Sequence, residues 1–262
     1  MKRIIASALV VLIAASAFAQ RPSPKESPYQ KKTFTSSEGT ELLYRQLDPQ
    51  NMNPKKKYPV ILFLHGAGER GNDNERQLVH GSRMFLNPTV LEQYPAYVLF
   101  PQCPEGKSWS YDPTPGWDKK PGEMPADRPE SSMIKALYEL IQYFKENYNV
   151  NESKIYVMGL SMGGMATYEI CVRHPELFAA AVPICGNINP SRLAAAKDVK
   201  FSIYHGDSDP VVPVEGSREA YKALKAAGAK VRYKEFVGCD HGSWNPAFNE
   251  PDFFSWLFKQ KK

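Results

Sequence analysis

The chain has 262 residues, of which 42% are hydrophobic and 23% charged, and its net charge is +5. This length and composition are typical of one globular domain with a large buried core, and they exclude a disordered or fibrous protein. The positive charge is small and scattered, whereas nucleic-acid binding needs a concentrated basic face. We therefore expect no nucleic-acid partner.

The first 19 residues have the features of a secretory signal peptide. Lys2 and Arg3 precede a mostly apolar run at residues 4–15, and Ala-Phe-Ala at residues 17–19 provides small residues for cleavage. The apolar run is shorter than the roughly 20 residues that span a bilayer, so we expect no membrane anchor. We predict cleavage after Ala19, a secreted or periplasmic protein, a polar lead-in at residues 20–32 and a folded domain at residues 33–262.

Apolar segments of strand length alternate with helical patterns along this domain. The segments are rich in Val, Ile, Phe and Tyr without clean alternation, which is typical of a sheet buried on both faces. They predict strands at residues 33–35, 41–47, 58–64, 96–100, 155–158, 179–184, 201–204 and 231–236. Apolar residues at helical spacing predict helices at residues 133–144, 162–174, 214–227 and 253–258. This order predicts an α/β fold, with one mostly parallel sheet of about eight strands flanked by helices.

A Gly-Leu-Ser-Met-Gly segment at residues 159–163 follows a predicted strand directly and opens a predicted helix. The G-x-S-x-G pattern indicates a nucleophilic serine when it occurs in this strand–turn–helix setting. Glycine at positions 159 and 163 avoids collisions in the tight turn. The turn exposes the hydroxyl above the end of the strand, so Ser161 is the candidate nucleophile.

A serine hydroxyl needs a general base, and the base needs an acid that orients it. His241 lies in the loop after the last predicted strand, and Asp207 and Asp209 lie in the loop after the strand before it. We favour Asp209, because an acid further from its strand can lean toward the histidine. Asp207 is better placed to bond the amides of its own turn.

The remaining histidines do not fit the role of the base. His65 and His205 each precede a glycine at a predicted strand end, and both are interpreted as loop-stabilising residues. His80 has no assigned role.

A His-Gly-Ala-Gly segment at residues 65–68 follows an early predicted strand. Acyl transfer needs backbone N–H groups aimed at the developing oxyanion. Such groups come from the residue after the nucleophile and from a loop of this kind. We predict the amides of Met162 and Ala67 as the oxyanion hole, with Gly68 as a possible alternative to Ala67.

Four motifs together resemble a known family. They are His-Gly-Ala-Gly-Glu-Arg-Gly at residues 65–71, Pro-Gln-Cys-Pro at 101–104, Gly-Leu-Ser-Met-Gly-Gly at 159–164 and Asp-His-Gly-Ser-Trp at 240–244. Over residues 33–260 the chain is similar to secreted bacterial carboxylesterases of the α/β-hydrolase superfamily, a group that includes feruloyl-esterase-like, polyhydroxybutyrate-depolymerase-like and peptidase-like proteins. The resemblance implies an α/β-hydrolase catalytic domain with Ser161, Asp209 and His241 as its triad.

The resemblance also implies ester hydrolysis through an acyl-enzyme, with feruloyl or acetyl groups of plant cell-wall polysaccharide such as xylan as the first choice of substrate. Trp109 and Trp117 in the long irregular segment at residues 101–128, and Trp244 near His241, offer faces that can stack on an aromatic or sugar ring. The alternative is that these tryptophans pack the segment onto the domain. A peptidase, a polyhydroxyalkanoate depolymerase and a catalytically inactive binding module remain alternative functions.

We expect neither a cofactor nor a metal ion, because the histidines are not spaced as a ligand set and no nucleotide-binding loop is present. Cys185 and Cys239 each lie just past a predicted strand end. In an oxidising compartment a disulfide between them would tether the His241 loop to the sheet. We predict this pair, although four cysteines permit three full pairings. The oligomeric state is left open.

Overall fold

A computed structural model describes residues 27–110 and 119–262. The predicted signal peptide, its cleavage site after Ala19 and the first part of the lead-in lie outside the described residues. Trp117 also lies outside them. Within the described part of the chain, no helix combines the length and the apolar composition that crossing a membrane requires.

The centre of the structure is one sheet of eight strands, ordered β1-β2-β4-β3-β5-β6-β7-β8. The strands are β1 Gln30–Thr35, β2 Glu41–Leu47, β3 Tyr58–Leu64, β4 Tyr97–Pro101, β5 Val150–Leu160, β6 Ala180–Ile184, β7 Lys200–Gly206 and β8 Val231–Phe236. Strand β2 runs antiparallel to both of its neighbours, and β3 to β8 are mutually parallel. The predicted α/β class and the mostly parallel sheet of about eight strands are confirmed.

Helices cover both faces of this sheet. They are α1 Pro88–Gln93, α2 Ser132–Asn147, α3 Met162–Arg173, α4 Glu215–Ala226, α5 Trp244–Phe248 and α6 Phe253–Lys259. Buried side chains of α2, α3 and α4 pack in one apolar cluster, and those of α5 and α6 pack in a second. Two core layers with the sheet between them explain why β3, β4 and β6 are almost wholly apolar.

The first strand begins earlier than expected. We placed the start of the folded domain at residue 33, but β1 starts at Gln30 and pairs along its whole length with β2. Tyr29 just before it is buried and donates its hydroxyl to the carbonyl of Ser82 at 2.7 Å. Residues 30–32, the last three of the predicted lead-in, belong to this edge strand.

The parallel strands set the position of the loops that matter below. The carboxyl ends of parallel strands meet at one edge of a sheet, where ligands of open α/β folds bind. The loops after β3, β5, β7 and β8 all leave from this edge. They carry residues 65–71, Ser161, Asp209 and His241 respectively.

Candidate active site

The turn between β5 and α3 holds Ser161 in a strained backbone conformation. Its φ of 54° and ψ of −118° lie in a region that residues other than glycine seldom adopt. The Ser161 N–H donates to the carbonyl of Ile184 at 2.9 Å, which ties the turn to β6. The serine thereby sits at the carboxyl edge of the sheet and at the start of α3.

Close backbone contacts explain the two glycines of this turn. A Cβ at Gly163 would lie 1.9 Å from the carbonyl oxygen of Leu64, and a Cβ at Gly159 would lie 2.4 Å from the carbonyl oxygen of Gly163. Both distances are far shorter than a van der Waals contact. Any side chain at either position would push α3 away from the sheet and move Ser161.

Ser161, His241 and Asp209 form one continuous chain of hydrogen bonds. His241 Nε2 lies 2.9 Å from Ser161 Oγ, and His241 Nδ1 lies 2.7 Å from Asp209 Oδ2. Because a carboxylate oxygen only accepts, Nδ1 carries the ring proton. Nε2 is then free to accept the hydroxyl proton of Ser161. The structure brings together the three residues that the sequence predicted for the triad.

The carboxyl group of Asp209 is fully buried and has four donors. Oδ1 accepts from the N–H groups of Val211 at 2.8 Å and Val212 at 3.0 Å, and Oδ2 accepts from His241 and, at 3.2 Å, from Nε2 of His205. Burial by itself raises the pKa of this carboxyl group, but the hydrogen bonds outweigh burial and hold its pKa well below its ordinary value. Asp209 is therefore a stable anion with a fixed orientation.

Asp207, the alternative acid, has different partners. Its Oδ1 accepts from the N–H of Gly238 at 2.7 Å and from the hydroxyl of Ser208 at 2.9 Å. The bond from Gly238 joins the loop after β8 to the loop after β7. Asp207 stabilises the two loops that carry Asp209 and His241, without reaching the histidine.

His205 lies behind Asp209 and is completely buried. Its Nε2 faces Asp209 Oδ2 and, at 3.0 Å, the carbonyl of Val212, so this nitrogen carries a proton. Its Nδ1 lies 2.7 Å from the hydroxyl of Ser217 on α4. The ring thus extends the hydrogen-bonded chain from Ser161 into the core.

His65 anchors the start of the loop after β3. Its Nε2 accepts from the N–H of Cys103 at 2.9 Å, and its Nδ1 donates to the carbonyl of Gly66 at 2.6 Å. Burial lowers the pKa of His65 to about 4, so the ring is neutral near pH 7. His65 fixes the backbone of this loop without contributing charge.

The amides predicted for the oxyanion hole lie beside Ser161. Ala67 and Gly68 belong to a short 3₁₀ turn, Ala67–Glu69, and both line the pocket that contains the serine. Within residues 27–110 and 119–262, no acceptor bonds the amide of Ala67 or Gly68. Met162 is the first residue of α3, where a helix leaves its N–H groups without internal partners. The choice between Ala67 and Gly68 stays a prediction.

Trp109 is not a substrate-binding residue in this structure, and our expectation for it was wrong. Its side chain is completely buried. The indole N–H donates to the carbonyl of His65 at 3.1 Å, and the centroids of the Trp109 and His65 rings are 5.1 Å apart. The ring packs the start of the long loop onto the core and supports His65. Trp117, also predicted to bind substrate, lies outside the described residues.

Trp244 does line the pocket at Ser161. The pocket holds about 270 Å³ and is open to solvent. The Trp244 ring lies between His241 and His80, with centroid distances of 5.5 Å and 5.0 Å. The pocket is also lined by Gly66, Ala67, Gly68, Glu69, Leu160 and Val211.

The predicted disulfide between Cys185 and Cys239 is absent, since both are free thiols. Cys185 is completely buried behind the triad, and Cys239 is partly exposed in the next loop. Burial raises the pKa of the Cys185 thiol, so it is protonated and unreactive. Its sulfur, with one atom each of Asp209 and His241, forms a group of potential metal ligands within 4.8 Å of one another. A protonated thiol is a poor ligand, and the two other side chains already bond each other.

Five pocket residues had no role predicted from the sequence, namely Gly66, Glu69, Leu160, His80 and Val211. Gly66, Glu69 and Leu160 belong to the motifs at residues 65–71 and 159–164. Glu69 stands two positions beyond Ala67, so its place in the predicted oxyanion loop could have indicated that it lies near Ser161. His80 and Val211 had no such signal. His80 comes from the segment between β3 and β4, and only the folded chain shows that it contacts Trp244.

Comparisons with known proteins agree with this geometry. Residues 51–252 match the phospholipase/carboxylesterase family. A probable carboxylesterase, SOBER1-like, from Arabidopsis thaliana is 27% identical over 212 residues, which cover 75% of this chain and 77% of the relative. The crystal structure of a thermostable esterase has a TM-score of 0.80 at 38% identity and covers 90% of this chain, which in turn spans 64% of that one.

A ferulic acid esterase from Anaeromyces mucronatus, solved in complex with ferulic acid, has a TM-score of 0.64 at 19% identity and covers 88% of this chain and 90% of that one. This second likeness shows the fold alone. The family match spans most of the chain and includes the serine turn and the loops that carry Asp209 and His241. The chain therefore belongs to the phospholipase/carboxylesterase family of α/β-hydrolases.

Proposed function

We propose that the protein is a serine-dependent carboxylic-ester hydrolase that works through an acyl-enzyme. The observation that carries the proposal is the unbroken hydrogen-bonded chain from Ser161 Oγ through His241 to Asp209. Attack of Ser161 on the ester carbonyl transfers its proton to His241 Nε2. The Asp209 anion stabilises the imidazolium that forms.

The developing oxyanion is bound by backbone N–H groups of Met162 and of Ala67 or Gly68. His241 then gives its proton to the leaving alcohol, and the acyl group stays on Ser161. In the second half-reaction His241 takes a proton from water, which attacks the acyl-enzyme. His241 then returns this proton to Ser161 Oγ as the acyl–oxygen bond breaks and the acid is released. Each proton transfer uses the same ring nitrogen, so no further acid or base is needed.

For the substrate, we propose esters linked to carbohydrate, with feruloyl or acetyl as the acyl group. Trp244 supports this proposal, because an aromatic face within the pocket can stack on a sugar or phenolic ring. The ferulic acid esterase with the same fold adds support by analogy. The peptidase and depolymerase alternatives share the triad and differ only in the leaving group.

The test is hydrolysis of p-nitrophenyl acetate by purified wild-type protein and by the Ser161→Ala variant. We expect turnover that is lost in the variant, one organophosphate added per wild-type chain by mass spectrometry, and no effect of EDTA. Turnover retained by Ser161→Ala, or abolished by EDTA and restored by a divalent metal, would contradict the proposal. Methyl ferulate, acetylated xylan, a peptide amide and polyhydroxybutyrate then separate the substrate classes.

We also propose that the protein acts outside the cytoplasm, on the basis of the leader-like residues 1–19. Mass spectrometry of the protein from its native host should find an N-terminus at Gln20. An intact N-terminus in the soluble cell fraction would contradict this.

A further inference from the structure

One wall of the pocket at Ser161 carries a carboxylate that the reaction described above does not use. The Glu69 side chain is only 12% exposed, and it lines the pocket together with Ser161. A Cβ placed on Gly66 would lie 3.0 Å from Glu69 Oε2 and 3.6 Å from Ser161 Cβ. The carboxylate is therefore separated from the nucleophile by about the width of one small side chain.

This carboxylate has spare capacity to accept hydrogen bonds. Among the described residues its side-chain partner is His80, whose Nε2 lies 3.6 Å from Oε1, beyond ordinary hydrogen-bond distance. The neighbouring Arg70 directs Nε to the carbonyl of Ala67 and Nη1 to the carbonyl of Lys107. An ionised carboxylate offers acceptor sites on two oxygens, so Glu69 can bind a donor that enters the pocket.

The ring of Trp244 lines the same pocket. It is held between the rings of His80 and His241, so its orientation is fixed by the catalytic histidine on one side and by the partner of Glu69 on the other. A flat apolar face in the same pocket as a hydrogen-bond acceptor is suited to a ring that carries hydroxyl groups. It is unsuited to an anion, because the Glu69 carboxylate would repel it.

The short distance from Glu69 to Ser161 decides which part of the ester can reach the carboxylate. A hydroxyl group on the carbon next to the esterified oxygen lies close to the reacting centre. The phenolic hydroxyl of a cinnamoyl group is separated from the carbonyl by a vinyl group and the whole ring. Only the first geometry matches an acceptor beside the nucleophile.

We infer that Glu69, which lies beside His80, is a specificity residue that accepts a hydrogen bond from a hydroxyl group of the alcohol part of the ester, adjacent to the esterified oxygen. The class of substrate is an ester of a vicinal polyol, such as a sugar unit, whose ring packs on Trp244. This inference rests on the proposed ester hydrolysis and adds the group that selects the alcohol.

A matched pair of acetates tests it. Cyclohexyl acetate and trans-2-hydroxycyclohexyl acetate differ only in the vicinal hydroxyl. We expect Glu69→Ala to lower kcat/KM for the hydroxylated ester by about 10-fold, because a hydrogen bond to a charged group is lost. Activity on cyclohexyl acetate should stay within about twofold. Glu69→Gln keeps an acceptor and should lose about threefold on the hydroxylated ester alone. Glu92→Gln, an exposed change on α1, is the matched control.

Each other result has a definite meaning. Equal losses on both acetates would overturn the inference and assign Glu69 to the shape of the loop. A selective loss on methyl ferulate over methyl 3,4-dimethoxycinnamate would place the bound hydroxyl on the acyl side and overturn the alcohol assignment. Absence of wild-type hydrolysis of both acetates and of p-nitrophenyl acetate, or persistence of hydrolysis in Ser161→Ala, would refute the proposed function itself. If the wild-type protein hydrolyses cyclohexyl acetate and trans-2-hydroxycyclohexyl acetate equally well, only the inference is refuted.

Discussion

Two histidine–glycine pairs lie at the carboxyl edge of the sheet, and they support opposite sides of Ser161. The ring of His65, just after β3, bonds two main-chain groups of the described residues, the carbonyl of Gly66 and the N–H of Cys103. The ring of His205, near the end of β7, bonds the carboxylate of Asp209 as well as the carbonyl of Val212. The same dipeptide at equivalent strand ends therefore has two different functions.

The difference lies in what each ring holds in place. His65 fixes a stretch of backbone whose amides face the pocket, so its loss should affect folding and all substrates alike. His205 fixes the charged side chain that orients His241, so its loss should reduce turnover with little effect on substrate binding. The four predictions below test this division, from the largest expected effect to the smallest.

Replacing Asp209 by Asn should give the largest loss. The neutral side-chain amide of Asn cannot stabilise the positive charge on His241 as the Asp209 carboxylate does. The corresponding change in a related triad lowers kcat by about 10⁴. Asp207→Asn should cost less than about tenfold in kcat, and should lower stability by about 1 kcal/mol through its bond to Gly238. Steady-state kinetics and thermal melts check both variants. A larger kcat loss for Asp207→Asn would reverse the assignment of the acid.

His205→Phe should lower kcat by about 10- to 100-fold with little change in KM, because Asp209 loses a donor worth about 1.5–3 kcal/mol. His205→Gln places an amide N–H near the position of Nε2 and should restore much of the rate. This rescue separates positioning of Asp209 from bulk packing. If His205→Phe and His205→Gln have the same melting temperature and the same reduced kcat, His205 contributes only to the fold.

His65 should make stability depend on pH. Its pKa is lowered by burial from 6.5 to about 4 in the folded chain, so the unfolded chain binds a proton first as the pH falls. Its contribution to stability is complete above pH 6.5 and is lost as the pH falls toward 4. Between pH 7 and pH 5 the loss is about 2 kcal/mol.

His65→Gln retains an acceptor for the N–H of Cys103 without titrating in this range. Urea denaturation at pH 7 and pH 5 should therefore show a smaller pH dependence for the variant than for the wild type. Equal pH dependence would mean that His65 is not neutral in the folded protein.

Trp109→Phe should have the smallest effect. It removes the indole donor to the carbonyl of His65 but keeps an aromatic ring in the core, so we expect a stability loss of about 1 kcal/mol. Rates on methyl ferulate and p-nitrophenyl acetate should fall by the same small factor. A selective loss on ferulate would restore Trp109 to the substrate pocket.

The sequence predicts what depends on local pattern and chain order. The glycines around Ser161, the strand before it and the loops after β7 and β8 predict the triad, because parallel strands bring their ends to one edge. The preference for Asp209 over Asp207 follows from the same logic, and the structure places only Asp209 at His241.

What the sequence could not predict depends on the direction in which side chains point. Trp109 follows a loop into the core, although its position in an irregular segment favoured exposure. Cys185 and Cys239 both follow strand ends, but shared position at a sheet edge does not fix the side-chain geometry that a disulfide requires. His80 meets Glu69 and Trp244 only because the segments between distant strands fold over the same pocket.

The strained backbone of Ser161 sets activity against stability at a single residue. A non-glycine residue in such a conformation costs about 1–3 kcal/mol, which the surrounding contacts must offset. Glycine at this position would relieve the strain, so Ser161→Gly should melt higher than the wild type, whereas Ser161→Ala keeps the Cβ and the strain. Selection for stability alone would thus remove the proposed nucleophile. For capturing a bound ester, the alanine variant is the better choice, because it preserves the turn that the substrate meets in the active enzyme.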